Sequence, residues 1–158
     1  MKSVVLITDG SCLGNPGRGG WAAILRFRGY ARELWGAERE TTNNRMELMG
    51  AIVALEALKK TSKVVMTTDS QNLVNAMNQG WAQRWRSNGW KRNKKDKALN
   101  PDLWERLLRV VNKHQVTWEW VKGHSGHKEN ERCDFLANES ARNNPESIDT
   151  EFDLEKND

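Results

Sequence analysis

The sequence predicts a mixed α/β domain, in which strand-like segments come first and helix-like and strand-like segments then alternate. Two short runs of apolar and β-branched residues, 4–8 and 64–68, are typical of buried strands. Between them, residues 43–60 carry apolar side chains at helical spacing. A chain of 158 residues with 37% hydrophobic residues is long enough to form one domain with a sizeable core.

The N-terminal part of the chain is predicted to form three strands. Residues 2–8 make the first, and a glycine-rich stretch at 10–20 with an Asn-Pro-Gly turn signal follows it. Residues 21–28 and 32–40 make the second and third strands around a short turn. The glycine-rich stretch lacks the Gly-Lys-Ser/Thr ending of a phosphate-binding loop and precedes a strand, which disfavours nucleotide binding there.

A long helix and a strand follow these three strands. The helix at 43–60 carries one apolar stripe, made of Leu48, Ile52, Leu55 and Leu58. Residues 64–68 form the fourth strand, and Ser70 can cap a second helix that stops at Gly80.

The remaining part of the chain is predicted to add helix, strand and helix. Asn100-Pro101 opens a helix, since proline suits the first helical position. Residues 116–120 alternate as a last strand, with Val116, Trp118 and Trp120 on one side. Residues 129–142 form a terminal helix, one face of which carries Cys133, Leu136, Ala137 and Ser140.

Both apolar runs end on an aspartate, Asp9 after the first and Asp69 after the second. Sites in α/β sheets are built at the carboxyl ends of parallel strands, so the two carboxylates meet if these strands are neighbours. Like charges at short range need a shared proton or a bound cation. The pattern therefore predicts a divalent-metal site.

Glu47 lies early in the long helix and has two interpretations. It follows Asn44 by three residues, which fits a capping box with Asn44 as the cap. Alternatively, the start of this helix lies beside the strand ends, and Glu47 is a third carboxylate of the site. The polar run at 41–44 offers hydroxyls and amides to phosphate and sugar groups.

A loop with two histidines, 122–127, follows the last strand. Zinc binding by His124, His127 and Cys133 fits no standard spacing. His124 is preceded by a glycine in this loop, and histidine is a residue type that commonly transfers protons, although a solvated loop histidine has the same pattern. Asp134, in the helix that follows, is by itself an ordinary surface acid.

Charge is distributed unevenly around a net value of +4. Residues 81–97 hold seven basic side chains and one acid, whereas residues 146–158 hold six acids and one lysine. Trp81, Trp85 and Trp90 interleave with the basic side chains. Packing beneath a surface helix explains the tryptophan spacing but not the charge, which favours nucleic-acid binding. We expect the acidic tail to be flexible.

The sequence contains no apolar run long enough to span a membrane, and the run before Asp9 is too short for the core of a signal peptide. Cys12 and Cys133 are the only cysteines, and they form no Cys-x-x-Cys motif. We therefore expect a cytoplasmic protein with reduced thiols and no membrane partner.

Five ordered motifs resemble those of the bacterial ribonuclease HI family, the type 1 ribonucleases H. The resemblance covers residues 2–142, and its specificity comes from the presence of all five motifs in order. They are Ile-Thr-Asp-Gly-Ser-Cys-Leu-Gly-Asn-Pro-Gly (7–17), Thr-Thr-Asn-Asn-Arg-Met-Glu-Leu (41–48), Thr-Asp-Ser-Gln (68–71), Trp-Val-Lys-Gly-His-Ser-Gly-His (120–127) and Glu-Asn-Glu-Arg-Cys-Asp (129–134).

The resemblance implies a ribonuclease H-like α/β fold, with a five-stranded mixed sheet of order 3-2-1-4-5 flanked by helices. It implies a domain over residues 1–145 that includes a basic protrusion at 81–97. The acidic tail, residues 146–158, belongs to none of the five motifs.

The resemblance also implies a set of site residues. Two Mg²⁺ ions, for which Mn²⁺ can substitute, are expected on the four carboxylates Asp9, Glu47, Asp69 and Asp134, with Asp9 as the bridge. His124 is expected to assist catalysis or product release, and Thr42 to hold a phosphate of the DNA strand. Contacts to the minor groove are expected from Cys12, Asn15, Asn43, Asn44 and Gln71. The basic protrusion is expected to bind substrate through Trp81, Trp85, Trp90, Lys91, Arg92, Lys94 and Lys95.

The implied activity is hydrolysis of the RNA strand of an RNA–DNA hybrid, which gives 5′-phosphate and 3′-hydroxyl ends with little sequence specificity. The implied role is removal of RNA primers and hybrids during DNA replication and repair, by a monomer. Two alternatives stay open. One is a nuclease or recombinase of the same broad fold that acts on DNA, and the other is a non-catalytic module that binds hybrids or double-stranded RNA.

Overall fold

The computed structural model of the protein describes residues 1–143, so the predicted acidic tail at 146–158 lies outside the described residues. Within that range the chain forms five strands and five helices. In order, these are β1 (Lys2–Cys12), β2 (Gly17–Phe27), β3 (Tyr30–Thr41), α1 (Asn43–Glu56), β4 (Ser62–Thr68), α2 (Gln71–Asn78), α3 (Trp81–Ser87), α4 (Pro101–Val111), β5 (Gln115–Trp120) and α5 (Lys128–Asn143).

The five strands form one mixed sheet of order β3-β2-β1-β4-β5, which confirms the predicted order. β1 pairs antiparallel with β2 and parallel with β4, and β4 pairs parallel with β5. In the ladder between β1 and β4, Thr8 lies opposite Thr68. Asp9 and Asp69 therefore follow at the same edge of the sheet.

Alternating residues of the sheet pack into two hydrophobic clusters on its opposite faces. On one face, Leu6 and Ala23 belong to a cluster with α1 and α4. On the other face, Ile7 and Ile24 pack against Cys133 of α5. The sheet is thus covered by helices on both sides, as predicted. No helix within residues 1–143 combines the length and the apolar character needed to cross a membrane.

Several element boundaries differ from those predicted. β1 and β2 extend into the glycine-rich stretch, because Ser11 pairs with Gly20 and Cys12 pairs with Gly19. Helix α1 ends at Glu56 rather than at residue 60, and Leu58 packs half-buried against the core beyond the helix end. A separate helix, α3, follows Gly80, whose positive φ of 74° breaks the chain direction after α2.

The predicted capping role of Asn44 is wrong. Thr42 has extended backbone angles and caps α1, because its hydroxyl accepts the Arg45 N–H at 3.3 Å. Asn44 lies inside the helix and is exposed. Glu47 is therefore not the partner of a capping asparagine, and capping no longer accounts for its presence.

A buried ion pair connects the start of α1 to the start of α4. Arg45 is 1% exposed, and its guanidinium donates to Asp102 Oδ1 at 2.9 Å and to Asp102 Oδ2 at 2.7 Å. Arg45 also donates to Asn100 Oδ1 at 3.2 Å. Burial raises the pKa of Asp102, but the hydrogen bonds and charge of Arg45 outweigh it and hold the pKa below 3.8. The pair fixes α1, which carries Glu47, against α4.

We expect Asp102→Asn to lower the free energy of unfolding by about 3 kcal/mol near neutral pH, because the buried guanidinium of Arg45 loses the negative charge and one of the two carboxylate oxygens to which it donates. A carboxylate with a lowered pKa contributes stability above its unfolded pKa of ~3.9 and loses it as pH falls through the folded pKa. The difference from wild type should therefore narrow in acid. Urea unfolding near neutral pH and at about pH 3 measures both effects.

Glu56→Gln is the control for this experiment, because it breaks the more exposed pair between Glu56 and Arg106. That substitution should cost less than about 1 kcal/mol. Equal losses of unfolding free energy in the two variants would show that the pair between Arg45 and Asp102 stabilises the fold no more than an exposed ion pair does.

Candidate active site

Three carboxylates converge at the edge of the sheet where β1 and β4 end. Asp9 lies in β1, Glu47 in the first turns of α1, and Asp69 directly after β4. One oxygen from each lies within 4.8 Å of one oxygen of the other two. The structure thus brings together the two strand-end aspartates, and it adds the glutamate whose function the sequence left open.

Two close backbone contacts hold these carboxylates in place. A Cβ atom at Gly10 would lie 2.3 Å from the backbone nitrogen of Glu47, so only glycine allows α1 to pack this closely on β1. A Cβ atom at Gly123 would lie 2.8 Å from Asp69 Oδ2, which is the end of a side chain. The packing of α1 on β1 therefore depends on glycine at position 10, and Gly123 leaves room for the Asp69 carboxylate.

Asp134 lies on the rim of the same site but apart from the three other carboxylates. It belongs to the second turn of α5 and is half-buried. Together with the other three acids it lines a cleft of about 460 Å³, which we call the acidic cleft. The remaining side chains of this cleft come from Ser11, Asn43, Asn44, Ser70, Gln71 and Asn72.

Burial makes the charged form of the central pair unfavourable. Asp9 is 2% exposed and Glu47 is 7% exposed. Burial, and then the negative charge of Asp69, raises the pKa of Asp9 to about 8. Burial, and then the negative charge of Asp9, raises the pKa of Glu47 well above its ordinary value. Without a cation, this pair therefore favours retention of a proton near neutral pH.

The donor set fits a hard divalent cation. Asp9 Oδ2 and Glu47 Oε2 are buried, and neither has a hydrogen-bond partner among residues 1–143. The group consists of carboxylate oxygens, which are the ligands that Mg²⁺ and Mn²⁺ prefer. A bound cation would offset the repulsion among these carboxylates, which in its absence is reduced by a retained proton.

The zinc interpretation finds no support in the geometry. Within residues 1–143, the carboxylates are the only group of three potential metal ligands whose atoms converge. His127 Nδ1 instead accepts the N–H of Asn130 at 3.0 Å, at the start of α5. Cys133 is buried against β1 and donates to the carbonyl of Ile7.

His124 lies on an exposed loop next to the acidic cleft. Its backbone takes a positive φ of 56°, and the neighbouring Gly123 contributes to the wall of the cleft. The loop is held by a hydrogen bond from Gly126 N–H to Glu131 Oε1 at 3.1 Å. The histidine itself does not line the cleft in this structure, so its part in catalysis stays a prediction.

The predicted minor-groove residues fall into two groups. Asn43, Asn44 and Gln71 line the acidic cleft and are exposed. Cys12 and Asn15 lie outside that lining. Asn15 Oδ1 accepts the Asn43 N–H at 3.0 Å, and Cys12 Sγ donates to the carbonyl oxygens of Gly17 and Thr41 at 3.4 Å.

The tryptophans of the basic segment serve as packing residues and also line a surface. Trp81, Trp85 and Trp90 are half-buried against the core, and Trp85 meets Trp104 edge-on with ring centroids 5.6 Å apart. Trp81 and Trp85 also line a second cleft of about 480 Å³, which we call the basic cleft. Its other lining residues are Asn72, Arg84, Asn88 and Arg92.

The acidic and basic clefts are neighbours, because Asn72 lines both. The side chains of residues 91–97 are exposed. Arg92 lines the basic cleft, and Lys91 and Lys94 line a further groove. The converging carboxylates thus adjoin an aromatic and cationic surface. This arrangement suits a polyanion that is held along its phosphates while one phosphate reaches the carboxylates.

Sequence reasoning missed three residues that hold the carboxylates. Trp120 Nε1 donates to the carbonyl of Asp69 at 3.1 Å. Asn138 donates a hydrogen bond to Asp134 Oδ1 and accepts one from the Ser11 hydroxyl. The four-residue spacing of Asp134 and Asn138 on one helix was the available signal for this contact.

Comparisons with known proteins agree with this geometry. The RNase H family model matches residues 1–142. The chain is 58% identical to a ribonuclease H from Syntrophus aciditrophicus (strain SB) over 140 residues, which cover 89% of this chain and 81% of that protein.

Solved structures with the same fold include LC9-RNase H1, described as a type 1 RNase H with the type 2 active-site motif. The TM-score is 0.80 at 37% identity, with 89% of this chain and 72% of that chain covered. LC11-RNase H1, solved in complex with an RNA/DNA hybrid, shares the fold with a TM-score of 0.64 at 22% identity. That match covers 88% of this chain and 96% of the other.

We expect Asp9→Asn to stabilise the metal-free protein near pH 8. A carboxyl group whose folded pKa is raised lowers stability as pH rises from its ordinary pKa of 3.8 toward about 8. The substitution removes this penalty and should raise the free energy of unfolding by more than about 1.4 kcal/mol, which is the value of one pKa unit. Denaturant unfolding in EDTA at about pH 8 and about pH 4 measures it, and the gain should vanish at the lower pH.

Asp96→Asn, at an exposed aspartate of the basic segment, is the control and should leave stability unchanged at both pH values. If Asp9→Asn did not raise the free energy of unfolding near pH 8, the charged form of Asp9 would not be destabilised by burial and repulsion as inferred.

Proposed function

This chain belongs to the RNase H family and is an endoribonuclease, and we propose that it cleaves the RNA strand of RNA–DNA hybrids at the acidic cleft. The observation that carries the proposal is the convergence of Asp9, Glu47 and Asp69 at the edge of the sheet in a chain that matches the family over residues 1–142. A structural neighbour of the same fold was solved with an RNA/DNA hybrid bound, which is consistent with this substrate class.

In this proposal Asp9, Glu47, Asp69 and Asp134 would hold two Mg²⁺ ions, for which Mn²⁺ could substitute, and Asp9 would be a ligand to both. When bound, such ions supply an activated water and stabilise charge on the leaving 3′ oxygen. The protein contributes acceptor oxygens at fixed positions, since Gly10 and the pairing of β1 with β4 set their spacing. The products carry 5′-phosphate and 3′-hydroxyl ends.

Recognition of the RNA strand is assigned to the polar residues of the acidic cleft. The amides of Asn43, Asn44 and Gln71 can donate and accept hydrogen bonds, as can the 2′-hydroxyl that distinguishes RNA from DNA. Cys12 and Asn15 are proposed to extend this contact. His124, on the exposed loop beside Gly123, is proposed to transfer a proton or to assist product release.

The DNA strand is assigned to the basic cleft. Trp81 and Trp85 line this cleft. Trp90, half-buried in the same basic segment, and the hydroxyl of Thr42 at the start of α1 are proposed to extend the contact outside the cleft. Phosphates are proposed to contact Lys91, Arg92, Lys94 and Lys95, whose side chains are exposed. Because these contacts reach phosphates and sugars rather than base edges, sequence preference should be weak.

Removal of RNA primers and hybrids during DNA replication and repair is the role we propose for this activity. A monomeric state and a cytoplasmic location belong to the same proposal.

We expect Asp9→Asn to abolish Mg²⁺-dependent cleavage of a labelled RNA–DNA hybrid while hybrid binding survives. The substitution removes the negative charge of Asp9 and one of its two potential ligand oxygens, and it lies outside the basic cleft. Glu139→Gln, at an exposed acid of α5, is the control and should cleave like wild type. Cleavage by Asp9→Asn at the wild-type rate would refute the site assignment.

The same assay distinguishes the two alternatives. A nuclease that acts on DNA would cleave duplex DNA in preference to the hybrid. A non-catalytic module would bind the hybrid without cleaving it in Mg²⁺.

We expect neutralisation of Lys91, Arg92, Lys94 and Lys95 by glutamine to raise the KM for the hybrid and to flatten its dependence on salt. Each lost phosphate contact should reduce the slope of log affinity against log salt by about 0.9 for B-form DNA, and by a similar order for a hybrid. The matched control neutralises Lys59, Lys60, Lys63 and Lys113, which lie at the opposite edge of the sheet. Equal slopes for the two quadruple variants would exclude this segment as the phosphate contact.

A further inference from the structure

A hydrogen-bonded connection links β1 to Asp134 through Asn138. The Ser11 hydroxyl donates to Asn138 Oδ1 at 2.6 Å. Asn138 Nδ2 donates to Asp134 Oδ1 at 3.2 Å and to the Asp134 carbonyl at 2.9 Å. Ser11 lies two residues after Asp9, so the connection joins the strand of one carboxylate to the helix of another.

The chemistry of the three groups sets the orientation of the amide. An ionised carboxylate only accepts hydrogen bonds, so the Asn138 NH₂ group has to face Asp134. The amide oxygen then faces Ser11, whose hydroxyl can donate. Both ends of the Asn138 side chain are therefore used, and all three side chains are half-buried, where such bonds are less exposed to competition from water.

Asp134 needs such support more than the other three acids do. Asp9 and Glu47 are buried and held by the close contact at Gly10, and Asp69 abuts Gly123. Asp134 does not belong to the group of carboxylates whose oxygens lie within 4.8 Å of one another. Its side chain projects from α5 and is half-buried. The bond from Asn138 engages one of its oxygens, and a carboxylate so held can offer its second oxygen to a cation.

We propose that Asn138, anchored by Ser11, is a positioning residue that orients the Asp134 carboxylate for metal binding. The inference rests on the proposed function, because it takes the acidic cleft as a metal site. Hydrogen-bond partners behind a metal ligand fix its orientation, and their loss costs roughly 10–100-fold in metal affinity or activity. Asn138 acts through Asp134 and need not contact the substrate.

The test is a titration of the substrate-free protein with Mg²⁺, followed by amide chemical shifts at Gly10, Asp69 and Asp134. We expect Asn138→Ala to raise the Mg²⁺ concentration at half-saturation about 10-fold. The Mg²⁺ concentration for half-maximal cleavage should rise in parallel. The affinity for the hybrid in the absence of divalent metal should stay at the wild-type level. A general structural defect would lower that affinity as well.

Asn143→Ala is the matched control. Asn143 donates to Glu139 Oε1 at 2.5 Å on the same helix and at the same four-residue spacing, but both side chains are exposed and lie outside the acidic cleft. This variant should titrate like wild type. Ser11→Ala should raise the half-saturating Mg²⁺ concentration in the same direction as Asn138→Ala, and Ser11→Thr, which keeps the hydroxyl, should restore it.

A wild-type Mg²⁺ titration for Asn138→Ala, alongside a weakened one for Asp134→Asn, would overturn the positioning role and leave the proposed function standing. If the wild-type protein showed no saturable binding of Mg²⁺, both the positioning role of Asn138 and the proposed function would be overturned. If Asn138→Ala fails to fold, the pair Ser11→Ala and Ser11→Thr decides the question, since equal titrations for these two variants would also overturn the inference.

Discussion

The main physical constraint on this structure is the burial of several carboxylates at one edge of the sheet. Asp9 and Glu47 are almost inaccessible to water, and Asp69 lies within a few ångströms of both. Such a group is unstable by itself, because desolvation and repulsion both act against the charged forms. The fold holds the carboxylates together all the same, through the pairing of β1 with β4 and the contact of α1 with Gly10. The site is therefore preorganised for a cation.

The surroundings of the acidic cleft follow from this constraint. A substrate phosphate would be repelled by four acids, so attraction has to come from elsewhere on the surface. In the proposed function the basic cleft supplies this attraction, and Asn72 lines both clefts. Trp81 and Trp85 pack against the core and also line the basic cleft. Packing and binding, which the sequence posed as alternatives, are compatible uses of Trp81 and Trp85.

Much of the fold and of the acidic site could be predicted from the sequence, because short sequence patterns indicate the strands, the helices and the aspartates at the strand ends. Apolar runs ending on Asp9 and Asp69 predicted two strands and a shared edge, and five motifs indicated the family and the sheet order. What escaped prediction depends on tertiary contacts. The cap at Thr42 depends on how the chain leaves β3, and the length of β1 depends on pairing with Gly19 and Gly20. The roles of Ser11 and Asn138 arise only when α5 packs against β1.

Without metal, the buried carboxylates should hold a proton at the position where a divalent cation binds. Calorimetric titration of the protein with Mg²⁺ near neutral pH, in buffers of different ionisation enthalpy, measures this exchange directly. We expect Mg²⁺ binding near neutral pH to release a measurable fraction of a proton, and we expect this release to fall at about pH 9 to 10, above the raised pKa of Asp9. A binding heat that is the same in every buffer would show that no proton leaves the carboxylates when Mg²⁺ binds.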